Sequence, residues 1–288
     1  MIYKIKNGKL EVSVDTLGAE IKSVKRGDTE YIWQGGINGS WTSHAPVLFP
    51  ICGRLNNGEY VYRDKIYKLG LHGFACHSAF SLCSYDSDCI VLTLALNEET
   101  EKIYPFDFEL TIQYRLEDDC LYENAVITNK GGDVMPAAFG GHPGFALFEE
   151  MGELSDCRLE FDKVSSPDKL LLTERGLYSG KNTAYPISDG KTIPLSESAL
   201  DTDGLFLSNS SRKVKLCSRR CEHGVELTYD DMPYLGIWHT YGDRFICLEP
   251  WCGLPSYDGV CDDIETKNDM FRIPPNSEKS VGFVMRFF

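Results

Sequence analysis

Long apolar runs are missing from this 288-residue sequence. Nothing in it approaches the ~18 consecutive apolar residues that cross a bilayer as a helix. The stretch 1–14, MIYKIKNGKLEVSV, lacks the apolar core of a secretory signal. Basic residues are scarce beside acidic ones: 29 Lys and Arg face 43 Asp and Glu, a formal net charge of −14. Such a chain repels phosphate backbones and anionic lipid surfaces, so neither nucleic acid nor membrane is expected as a partner. The small cluster Lys213, Lys215, Arg219 and Arg220 is too short to reverse that balance and reads as a solvated strand face.

Metal and cofactor signatures are missing too. None of the 11 cysteines (52, 76, 83, 89, 120, 157, 217, 221, 247, 252 and 261) is paired at the C-x-x-C spacing of a zinc or redox motif. The histidines also lack metal-type spacing. There is no G-x-S-x-G, P-loop, H-E-x-x-H or dinucleotide fingerprint, so the enzyme classes that carry them are set aside. No metal and no organic cofactor is expected. An odd number of thiols without framework spacing fits a reducing, cytoplasmic setting, with most thiols buried as small hydrophobes.

What is present is strand. Glu11–Asp15 and 108–116 alternate apolar and polar residues with period two. The segment 90–96 is more continuously apolar, and 225–229 and 281–285 repeat the pattern. Asn7-Gly8, Asn57-Gly58 and Asp189-Gly190 suit tight hairpins, because Asn, Asp and Gly tolerate positive φ. A further hairpin is expected around Arg63-Asp64. No amphipathic pattern supports a helix longer than about three turns; short helical turns are expected near 196–199 and 262–268. Many strands with turns every ~8–12 residues predict an all-β sandwich or barrel. With no linker, repeat or low-complexity tract, 1–288 reads as a single domain, and 149–203 as a turn-rich excursion from its sheets.

Three rigid segments carry chemistry. His72 lies in Leu71-His72-Gly73-Phe74, His142 in Gly140-Gly141-His142-Pro143-Gly144-Phe145, and Glu249 in Leu248-Glu249-Pro250-Trp251-Cys252-Gly253. Gly and Pro fix backbone geometry, so a polar residue among them is aimed. Pro143 holds His142 extended. Glu249 follows the apolar run Phe245-Ile246-Cys247-Leu248, and Pro250-Trp251 is expected to stop that strand. A carboxyl at a buried strand end must be paired or working, and burial lifts its pKa toward that of a general base. Arg54 is a fork donor for hydroxyls or a carboxylate, and Asp203 is a loop acid entering a strand. Trp251, Phe145, Trp238 and Trp41 offer flat faces for a sugar ring, and His77 is a lesser candidate beside His72. Each of these residues also has a plain structural reading, as a cap, a turn or core. Two acids could serve a glycosidase, but two framed imidazoles with a carboxylate fit a proton shuttle better.

Taken in order, Trp33-Gln34-Gly35, the run 45–54 (APVLFPICGR), Leu71-His72-Gly73-Phe74-Ala75, Gly141-His142-Pro143-Gly144-Phe145, Asp203-Gly204-Leu205-Phe206 and Leu248-Glu249-Pro250-Trp251 resemble the aldose 1-epimerase (galactose mutarotase) family, and within it the LacX-like branch. The resemblance covers nearly the whole chain. It implies a large antiparallel β-supersandwich and interconversion of the α and β anomers of a hexose. It also implies Glu249 as general base, His142 as general acid and His72 as a third catalytic group, with Arg54, Asp203, Phe145 and Trp251 binding a small-molecule sugar in a monomer or homodimer. Cys76, followed by His77, stands where LacX-like proteins often have Arg. Two alternatives are a hexose-6-phosphate 1-epimerase, which needs a basic cluster around the pocket (Arg54, with Arg212, Lys213 or Arg220), and a non-catalytic sugar-binding protein on the same fold.

Overall fold

Alternation of apolar and polar residues builds the larger of two extended antiparallel sheets. The computed structural model describes residues 1–35, 41–200 and 204–288. Phe108–Glu117 and Cys120–Asn129 alternate buried and partly exposed positions along ten residues each and pair in register from Phe108–Asn129 to Glu117–Cys120. Ser277–Phe287 runs beside Cys120–Asn129, and Cys89–Ala95 beside Phe108–Glu117. These four are consecutive in a nine-stranded sheet. Their inward side chains, among them Leu110, Ile112, Ala125, Ile127, Phe283 and Met285, are buried in the main core.

An eight-stranded sheet carries the polar segments. Its central strand, Phe245–Trp251, is buried at every position and lies between Tyr234–Trp238 on one side and the short strands Gly140–Gly141 and Gly144–Ala146 on the other. Gly140–Gly141 also pairs with Val47–Leu48. The two sheets come close at Gly141, where a Cβ would lie 2.4 Å from the Phe283 ring. A four-stranded N-terminal sheet, Ile2–Lys6 to Thr29–Glu30, completes one rim. The sandwich architecture expected from the sequence is present.

Several local expectations hold. Asn7-Gly8 lies in the hairpin joining Ile2–Lys6 to Glu11–Asp15. Arg63 (φ 48°) and Asp64 (φ 62°) turn the Glu59–Tyr62 and Lys65–Lys68 hairpin, the double positive φ of a type I′ turn. Glu197–Leu200 is a short helix.

Others need correction. Asn57-Gly58 belongs to a 3-10 turn leading into a strand, and Asp189-Gly190 joins strands of different sheets. The segment 262–268 begins as the two-residue strand Asp262–Asp263 and continues as turns. Glu98–Ile103, capped by Asn97 and Thr100, is a helix too short to leave a periodic signal. The stretch 149–203 supplies outer strands to both sheets, among them Asp168–Leu172 and Tyr178–Ala184, and the polarity of Tyr178–Ala184 reflects its exposed edge position. All 11 thiols are free, but only Cys52, Cys157, Cys247 and Cys252 are buried, because others, such as Cys120 and Cys217, fall at the partly exposed positions of their strands. No described helix is long and apolar enough to cross a membrane.

Candidate active site

Pro250 and Trp251 do not stop the strand; they are its last two residues, and Glu249 sits in its body opposite Gly236. Proline's fixed φ is compatible with extended chain wherever its missing N–H is not needed. Gly236 leaves room for this crossing: a Cβ there would lie 2.9 Å from the Phe206 ring and 3.1 Å from the Glu249 Cβ.

A cavity of about 720 Å³ opens over this strand. It is lined by Glu249, His142, His72, Arg54 and Trp251, five of the seven residues expected from the sequence to act on or bind a sugar. Trp41, Trp238, Phe206 and His77 also line it. Phe145 does not: it is 0 % exposed and belongs to the main core. Its strand explains the difference. Gly144, one residue away, faces Trp41, so Phe145 must point to the opposite side. Asp203 lies outside the described residues.

His142 is aimed by its backbone and by aromatic packing. Its N–H donates to the Pro46 carbonyl at 3.1 Å. The Trp41 ring stacks on the imidazole at 5.3 Å, and Trp238 meets it edge-on at 5.7 Å. His142 Nε2 comes within 3.2 Å of Glu249 Oε2, without the alignment of a hydrogen bond. His142 Nδ1 and Glu249 Oε2 are buried and have no hydrogen-bond partner among the described residues.

Burial dominates the electrostatics. It pushes the Glu249 carboxyl well above the usual carboxylate range and the His142 imidazole down to about 4. Both effects favour uncharged groups, with the exchangeable proton of the pair resting on Glu249. A carboxylate with an imidazolium contains the same number of protons. The pair can therefore exchange its neutral and charged forms without any net uptake from water.

His72 is held differently. Gly53 N–H donates to His72 Nδ1 at 3.1 Å, so the neutral ring carries its proton on Nε2. Burial, followed by the neighbouring His142 and Arg54, lowers its pKa well below 6.5 and keeps it neutral. Its ring meets those of His142 at 5.4 Å and Trp251 at 5.5 Å. The backbone there is strained, with φ 62°, a conformation uncommon for a non-glycine residue. Gly73 makes it possible: a Cβ at 73 would lie 2.2 Å from the Phe49 carbonyl oxygen, which accepts from the Phe74 N–H at 2.9 Å.

Two contributors escaped the sequence reading. Glu20, from the N-terminal sheet, lines the cavity and accepts from the N–H groups of His44 at 2.7 Å and Ala45 at 3.1 Å. Its Oε2 accepts from the nearby Lys22 at 2.7 Å, but the two backbone partners of Oε1 lie some two dozen residues away, and no local pattern marks them. Cys247 lies two residues before Glu249 on the same strand face, and alternation alone would have placed it there.

Residues 1–263 match the family model for aldose 1-epimerase. The chain is 32 % identical to the chromosomal protein LacX of Lactococcus lactis subsp. lactis, over 97 % of this chain and 98 % of that protein. The chain belongs to the aldose 1-epimerase family. The galactose mutarotase related enzyme of Lactobacillus acidophilus superposes with a TM-score of 0.94 at 35 % identity, covering 100 % of this chain and 97 % of the other. A galactose mutarotase-like protein from Lactobacillus casei gives 0.94 at 29 %, with 100 % of both chains covered. Membership of the aldose 1-epimerase family supports an isomerase acting on a sugar.

Proposed function

We propose that the chain interconverts the α and β anomers of a free hexose by acid/base ring opening. The observation that carries this reading is the His142–Glu249 pair, 3.2 Å apart on the wall of the cavity with an unpartnered buried polar atom on each side chain. A sugar that seats its C1 hydroxyl on Glu249 and its ring oxygen on His142 completes both groups. From the carboxylate–imidazolium form of the pair, Glu249 takes the C1 hydroxyl proton, and His142 gives a proton to the ring oxygen as the C1–O5 bond breaks. Rotation about C1–C2 and reclosure return the other anomer, with each proton restored. The pair then needs no proton from solvent, and ring opening and closure driven by proton transfer call for no cofactor.

His72 Nε2–H donates toward the charge that develops at the reacting centre. Arg54 grips outlying hydroxyls, and Trp251 gives the ring an apolar face. The phosphorylated-sugar alternative loses its basic cluster. Arg212 donates to the Pro233 and Ser210 carbonyls beside a separate cleft, Lys213 pairs with Glu226, and Arg220 pairs with Asp156. Arg54 is the Lys or Arg side chain that remains on the cavity wall.

Polarimetry of freshly dissolved α-D-galactose and α-D-glucose tests the proposal. The protein should hasten the decay of rotation of at least one of them. No acceleration of either, with acceleration of glucose 6-phosphate, would move the reading to the phosphorylated class. No acceleration of any of the three would leave sugar binding without catalysis.

A further inference from the structure

The odd-numbered residues of Phe245–Trp251 share one strand face, so Cys247 and Glu249 present their side chains side by side. His142 reaches them from the segment between Gly140–Gly141 and Gly144–Ala146, and Gly144 pairs directly with Cys247. One ligand atom from each of His142, Cys247 and Glu249 lies within 4.8 Å of the other two, and all three residues are buried. The sequence spacing of these residues is not that of a metal motif, because the sheet, not the local chain, assembles them.

We propose that His142, Cys247 and Glu249 form a site for a borderline divalent cation, Zn2+ above all, and that its occupancy shuts the sugar site. Sulfur, imidazole nitrogen and carboxylate oxygen are the ligand types that zinc takes, and three protein ligands leave its fourth position for water or a hydroxyl. Hard cations such as Mg2+ and Ca2+ prefer all-oxygen sets, which this site lacks. The His142 nitrogen that faces the carboxylate is Nε2, 3.2 Å from Glu249 Oε2, and Glu249 Oε2 is buried without a hydrogen-bond partner among the described residues. Zinc bonds of about 2.0–2.3 Å require the three donors, now within 4.8 Å of one another, to draw closer together when the ion binds. The route in is the cavity, which His142 and Glu249 line. The binding stands on this geometry alone. The shutdown rests on the acid/base reading, since the ion takes the two groups that the reaction uses.

The test titrates the full chain with Zn2+ by calorimetry and with Co2+ by absorption, comparing wild type with Cys247→Ser and, independently, Glu249→Gln. The wild type should bind one equivalent that both variants weaken by more than the roughly 10-fold that loss of even an outer partner of a metal site costs. Co2+ should give a thiolate-to-metal charge-transfer band that Cys247→Ser removes, although ten of the 11 cysteines remain. Zinc should also slow mutarotation by wild type, a chelator should restore it, and Cys247→Ser should resist zinc relative to its own metal-free rate. Equal zinc affinity in wild type and both variants, or a cobalt complex with no thiolate band, overturns the site. A protein that binds zinc as described but moves no sugar would keep the site and refute the acid/base reading. One that moves sugar but ignores zinc would do the reverse.

Discussion

His142 Nε2 and Glu249 Oε2 stand 3.2 Å apart, yet the two residues come from different strand segments that share only the neighbouring ladder of one sheet. On the proposed mechanism they act as one proton-sharing unit, so their losses should not add. His142→Gln is expected to lower the mutarotation rate by about 10²–10⁴. Combining it with Glu249→Gln should lower it little further, as happens when residues work as a unit. Rate losses that multiply would mean two independent roles.

His72 should act through its Nε2–H. Asparagine tolerates the positive φ at this position, and its side-chain oxygen can still accept from Gly53 N–H, but it presents no donor where Nε2 stood. His72→Asn is therefore expected to fold normally and to lose about 10²–10³ in kcat, the effect of removing one donor aimed at developing charge. A change confined to KM would make His72 a binding group only.

Glu20 should matter although it takes no part in the proposed proton transfers. Its carboxylate fastens the backbone at His44 and Ala45, close to Trp41, the ring that stacks on His142. Glu20→Ala is expected to let Trp41 shift, altering tryptophan fluorescence and lowering kcat by about 10-fold or more. Glu20→Gln, which keeps a carbonyl acceptor for both N–H groups, should recover most of that loss. If alanine and glutamine behave alike, the clamp does not position Trp41.

Glu123 makes stability depend on pH. It lies in the nine-stranded sheet, 3 % exposed, with Oε1 unpartnered among the described residues, and burial raises its pKa to about 8. Its folded pKa is above its unfolded one, so the folded state holds more protons in between. The contribution of Glu123 is complete below about pH 4.3 and is lost progressively as pH rises toward 8. Glu123→Gln should flatten this fall and raise stability at pH 8 by on the order of a few kcal/mol. Thermal unfolding from pH 5 to 8 reads it directly, and parallel curves for the two proteins would refute it.

The sandwich was legible because alternation survives wherever one face of a strand is buried, as along Phe108–Glu117. The edge strand Tyr178–Ala184 was not, because exposed positions place no demand on residue type. His72, His142 and Glu249 were legible because Gly and Pro frame them. Glu20 was not, since what matters about it is a pair of backbone partners chosen by tertiary packing. Phe145 shows the opposite error: an aromatic ring beside a functional loop reads as a sugar platform until the strand's parity turns it into the core.

The most direct measurement is polarimetry of α-D-galactose and α-D-glucose with wild type and Glu249→Gln, each checked for bound sugar by saturation-transfer NMR. The account predicts that wild type hastens mutarotation and that Glu249→Gln still binds sugar but is slower by about 10²–10⁴. A Glu249→Gln protein that turns over like wild type would show that Glu249 is not the base and would contradict the mechanism.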